Sequence, residues 1–299
     1  MRTFAAILAF LGVFGAVPAH RLNRQSNPAA SPGPNLFTRH YQAGEKLSYH
    51  MKATNKDHAG TKSYEAQADG IVKKDSACNF YEEYQWSALA WDGKTIPVAP
   101  DFRQVLSLDP GFKPSFPDLQ HAGSGLVGPV LDFMTFYADL GLAIRKGGLN
   151  HVGDHVYVPF GRPTSWAAGE GLIIGEDSID FDITLQKVDR SANTATVLIR
   201  HVPPAEPKIN LPAPWMHVPV ADTPNNWVEV GKNKDGKYVA SVGKETFDVV
   251  IETSLTDGRI LSATMDNPVE VLERECSDAA LASCGEPIRY QIRRLIEIR

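Results

Sequence analysis

The amino-acid sequence predicts a mainly β chain: an antiparallel barrel or half-barrel of about a dozen strands with one long amphipathic helix. Three observations predict it. Short segments alternate apolar and polar residues with a period of two. Tight-turn pairs such as Asp235-Gly236 and Asp257-Gly258 punctuate them. Only the stretch Val127–Lys146 repeats its apolar residues at helical spacing.

Taken in order, residues 44–53 place Leu47, Tyr49 and Met51 on one face and Lys46, Ser48 and His50 on the other. Residues 64–72 do the same with Tyr64, Ala66, Ala68, Gly70 and Val72. In residues 80–90, Phe80, Tyr84, Trp86, Ala88 and Ala90 oppose Glu83, Gln85 and Ser87. A shorter strand, 102–108, completes a meander. A Gly- and Pro-rich loop, 110–125, leads to the helix, where Val127, Val130, Leu131, Met134 and Ile144 form the apolar stripe and Gly147-Gly148 stops it. The pattern suits a plug or lid on a curved sheet.

Strands resume at 155–159. Ile179, Phe181, Ile183 and Leu185 then alternate with Asp180, Asp182, Thr184 and Gln186, so one face is buried and one wet. Residues 194–202 follow. The segment 203–224 carries seven prolines and cannot enter a sheet interior, because proline offers no donor to the ladder. Strands over 227–230, 237–242, 245–254, 259–265, 268–276 and 287–299 complete the set. So many sequential strands must hide their edges, and curling does so.

The N-terminus reads as a secretory signal over 1–19. Arg2 is followed by an apolar run, 4–14, too short to span a bilayer, and by Val17-Pro18-Ala19. A polar linker is expected over 20–40 and a single β-rich domain over 41–299. The expected location is the periplasm or the medium of a bacterial cell, and no membrane-spanning helix is expected. The net charge of −5, without a basic block, argues against a nucleic-acid partner. In an oxidising compartment, Cys276 and Cys284 are placed to bridge the base of a short loop, which leaves Cys78 as a small buried residue.

The opening Gly44-Glu45-Lys46-Leu47-Ser48-Tyr49, the helical Asp132 and Tyr137, and the following Gly153-Asp154 resemble a family of exported bacterial proteins classed only as a domain of unknown function. The likeness runs over roughly residues 41–265. The 203–224 loop and the Cys276–Cys284 end depart from it. The resemblance implies a periplasmic barrel-like fold and no activity.

No catalytic motif stands out, and no cofactor is called for. Glu176, Asp177, Asp180 and Asp182 form the densest acidic cluster, with the first two expected in a loop. Hard oxygen ligands so grouped could hold Ca²⁺, and alternating acids also mark a wet strand face. His151 and His155 have the i, i+4 spacing of a zinc pair, but the glycines around them favour a turn. Ser124 reads as a helix cap rather than a nucleophile. Trp166, Trp215, Met216 and Trp227 sit amid prolines or at strand starts and either plug the barrel or form a ligand-binding surface. Arg294 falls on an apolar strand face and needs a carboxylate partner, unless a bulge shifts the alternation. These features suit an exported, non-enzymatic protein binding an apolar ligand, a glycan or another envelope protein. The alternatives are a secreted hydrolase with an unrecognised site and a structural or assembly factor of the envelope.

Overall fold

Inward-facing alternation on long strands forces the sheet to bend around whatever fills its apolar face. The computed structural model describes residues 36–113, 115–123, 125–168 and 173–299. The expected signal peptide, most of the linker and Ser124 lie outside the described residues. The fold begins ahead of residue 41, because Phe37 and Arg39 are already buried.

One antiparallel sheet contains fifteen strands among the described residues, and it is not closed, so the half-barrel is the form adopted. Its trunk runs β4 (Lys94–Thr95), β3 (Phe80–Trp91), β2 (Gly60–Lys74), β1 (Lys46–Asp57), β15 (Ile288–Ile298) and β14 (Ile260–Cys276), with β5 (Gln104–Leu106) also beside β3. The sheet forks at β14. Its first part pairs with β13 (Phe247–Ser254) and its second part with β12 (Tyr238–Glu245), both on the side away from β15. The first arm continues through β10 (Thr194–Val202), β9 (Asp180–Asp189) and β6 (His155–Val158). The second continues through β11 (Trp227–Lys232), β8 (Ile173–Asp177) and β7 (Thr164–Ala168).

The expected strands 259–265 and 268–276 are therefore one strand. Proline does not break it because Pro268 sits at the fork, between the last β13 pair, Asp248 with Asp266, and the first β12 pair, Glu245 with Val269. No ladder donor is needed there, and the Pro268 carbonyl still accepts from the Thr246 amide. The hairpin of β7 and β8 was not expected, since its strands are short and β8 carries Gly175. Its consequence is that Glu176 and Asp177 lie on a strand rather than in a loop. In β3 a bulge at Ser87 shifts the register, so Leu89 is buried and Ala88 is exposed, reversing the expected alternation there.

After a single helical turn, α1 (Leu119–Ala122), the helix α2 (Val127–Lys146) fills the concavity of the trunk and first arm. Phe133 meets the rings of Tyr49, Tyr84, Trp86 and Tyr137 at centroid distances of 4.9–5.9 Å. Gly70 makes room for this packing, because a Cβ there would lie 2.3 Å from the Tyr84 ring. α2 is apolar and long enough to cross a membrane, but most of it is buried inside the fold.

The proline-rich segment crosses the outer face of the second arm as a lid. Met216 and Ala213 are buried with Val228, Ala240, Val242, Cys276 and Leu281. Trp215 is half-buried; its indole N–H donates to the Leu281 carbonyl at 3.1 Å, and its ring faces the Arg274 guanidinium. Cys276 and Cys284 form the expected disulfide. Cys78 is not a buried residue: it is exposed at φ 65° in a tight turn, where the Asp75 carboxylate accepts from the Ala77 and Asn79 amides.

Candidate functional site

A buried polar seam runs along the fork, between the main core and the inner face of the second arm. Two of its members come from α2. Asp132 and Asp139 are seven residues apart, two turns of helix, and so share one face. Asp132 accepts from the Arg294 guanidinium at 2.5 Å and from the Tyr64 hydroxyl at 2.7 Å. Arg294 thus has its carboxylate, and β15 carries no bulge in its pairing with β1 or β14. Asp139 lies 2.8 Å from Nε2 of His201, a core histidine between the rings of Phe181 and Phe247.

The other two members are Asp177, at the end of β8, and Glu245, at the end of β12. They are 1 % and 5 % exposed. Asn226 ties their backbones together, donating to the Ser178 and Glu245 carbonyls and accepting from the Glu245 amide. Glu245 Oε1 accepts from Asn267 at 3.3 Å, while its Oε2 has no partner. Thr164 sets its hydroxyl and amide toward Asp177, but no hydrogen bond of good geometry reaches either Asp177 oxygen. Burial drives both carboxyls well above the usual acid range, and their mutual repulsion adds to the effect on Glu245.

Nearer the rim, Glu229 and Glu273 flank Ser241 across three neighbouring strands. Glu273 accepts from the Tyr290 hydroxyl at 2.8 Å and from Ser241 at 3.3 Å. Burial and the Glu273 charge push Glu229 up to about 7. The set can hold protons, and the Glu229–Glu273 pair has the unequal environments that acid–base chemistry uses.

A second buried network pins the middle of α2. Glu82 of β3 accepts from the hydroxyls of Tyr84 and Tyr137 and from Arg39, which also pairs with Glu45. Burial still raises the Glu82 carboxyl, against the pull of Arg39.

The residues singled out in the sequence are scattered by the fold. Glu176 accepts from the Asn210 amide in the lid, and Asp177 points into the seam. Asp180 takes the Tyr157 hydroxyl and the Phe160 amide, and Asp182 pairs with the half-exposed His155 at 2.5 Å. The four do not converge, and no group of three His, Cys, Asp or Glu suited to a metal occurs among the described residues. His151 and Asp154 cap a turn into β6. Trp215 and Met216 belong to the lid, whereas Trp227 packs on the opposite face with Val269 and Val271. The side chain of Trp166 lies outside the described residues. Sequence reasoning missed Asp132, Asp139, Glu229, Glu245 and Glu273; two acids seven apart on an apolar helix were the one available signal. No protein-family model, no curated protein and no solved structure matches this chain.

Proposed function

We propose that the chain is an exported, non-enzymatic protein of the bacterial envelope or medium that binds an apolar ligand, a glycan or another envelope protein on the surface of its second arm. One observation carries this reading. The concavity where a barrel would hold a ligand is occupied by α2, anchored by buried polar contacts to β2, β3, β10 and β15. Binding is then left to the outside, where Ile174 and Val218 are each more than half exposed on the second arm and its lid. The Cys276–Cys284 bridge fits the oxidising surroundings that export provides. The resemblance of the 44–49 strand and the Asp132 helix to exported proteins points the same way.

Native mass spectrometry of protein purified from its own host tests the proposal. The expected species is a chain beginning at His20, carrying one disulfide and a bound ligand or partner. A chain that retains Met1 would remove the export claim, and a bare chain at every concentration would remove the binding claim.

The hydrolase reading is favoured by one feature, the Glu229 carboxyl raised to about 7 by burial beside Glu273, which accepts from Tyr290 and Ser241. Turnover of glycan substrates that Glu229→Gln abolishes would establish it in place of the binding reading.

A further inference from the structure

We propose that Asp177 and Glu245 form a proton-holding clasp across the fork, which keeps the second arm seated on the α2-bearing half while both carboxyls are protonated and loosens it as the pH rises. Asp177 ends β8 in the second arm, and Glu245 ends β12 where the fork opens. Both are buried, and three of their four carboxyl oxygens accept no hydrogen bond. A buried ionised carboxylate without donors is strongly disfavoured, whereas a protonated one needs far less from its surroundings.

The groups facing the pair offer it no spare charge. Around Asp177 stand Thr164 from β7, Glu176 from β8 and His201 from β10. Around Glu245 stand Asp177, Glu229 from β11, Asn267 from β14 and Arg294 from β15. The Arg294 guanidinium is already engaged by Asp132 of α2, and His201 by Asp139 of the same helix. With Arg294 paired to Asp132, no spare positive charge among these groups offsets an ionised Asp177 or Glu245. The upward shift of both carboxyls by burial agrees.

Loosening follows by linkage. Once the arm lifts, both carboxyls meet water and return to the ordinary acid range near 4. Opening therefore releases protons at any pH above that range and below the raised values of the closed state. Each proton released makes the open form about tenfold more populated per pH unit. The clasp is tight in mildly acidic surroundings and weakens towards and above neutrality.

Amide hydrogen exchange of the full chain between pH 5 and 8, corrected for intrinsic exchange, tests the clasp. Protection of β8 and β11 should fall by about tenfold or more per pH unit, while that of β1 and β2 changes far less. In the Asp177→Asn, Glu245→Gln double variant, whose amides stand in for protonated acids, protection of β8 and β11 should become nearly independent of pH. A flat wild-type profile, or the same slope in the double variant, overturns the proposal. Should the variant not fold, carboxyl carbon NMR of the wild type decides: titration of Asp177 and Glu245 above about pH 6 upholds the clasp, and titration near the ordinary value of about 4 overturns it.

Discussion

At the scale of single residues, the fold depends on charges that the core has accepted only in pairs. Arg294 and Asp132 are both buried, and Tyr64 completes the arrangement. Removing one partner leaves the other buried and uncompensated. Asp132→Asn is therefore expected to destabilise the protein by about 3–5 kcal/mol. The Asp132→Leu, Arg294→Met double variant should recover most of that loss, because well-packed apolar replacements avoid the desolvation cost. Urea unfolding of the single and double variants measures both. Strand alternation put Arg294 on the apolar face, with a bulge as the alternative, and the unbroken register of β15 decides for the inward charge. The partner of Arg294 was not legible, because Asp132 lies 162 residues away on a helix whose placement no local period specifies. The pairing of Asp177 with Glu245 was hidden for a similar reason: Asp177 was legible only as one of an acidic cluster and Glu245 only as an ordinary acid, and the fold brings them together.

At the scale of elements, the lid shows how an apolar loop rich in proline is stabilised. It cannot join the sheet, so it buries Met216 against the outer face of the second arm and is held by Asn225, which donates to the Met216 and Val218 carbonyls. Met216→Ala should cost about 2–5 kcal/mol, as for a core methionine. Trp215→Ala should cost about 2 kcal/mol, below the value for a core tryptophan, because the ring is half-exposed. A melting temperature untouched by either change would show that the lid is not packed. Loss of the Cys276–Cys284 bridge, which closes a short loop beside the same cluster, should cost about 2–3 kcal/mol. Strand existence was legible wherever alternation ran for several residues, as in β1, β2, β9 and α2's helical counterpart. The hairpin of β7 and β8 was not, since glycine and short length erase the period. Nor was the continuity of β14, because proline marks a strand end everywhere except where the sheet divides.

At the scale of the whole molecule, two consequences follow from one sheet with two arms. The first concerns pH. Asp177, Glu245 and Glu229 are all raised in the folded state by burial. Their contribution to stability is complete below the unfolded acid range near 4 and is lost as the pH rises towards the folded values, about 7 for Glu229. Carboxylates held low by hydrogen bonds, such as Asp69, Asp154 and Asp278, act in the opposite direction, but they are exposed or partly exposed and screened. Thermal unfolding should therefore show a higher melting temperature at pH 5 than at pH 8, and Glu245→Gln should reduce the difference. The second consequence concerns function: the concavity of the trunk and first arm is filled by the protein's own helix. Hydrogen exchange of the α2 amides tests this most directly. If α2 is a permanent plug, the amides of Val130 through Ala143 exchange only by global unfolding, with the same free energy as those of β1, β2 and β15. If they exchange by a smaller, local opening while the strands remain protected, α2 is a gate to an interior site and the account is contradicted.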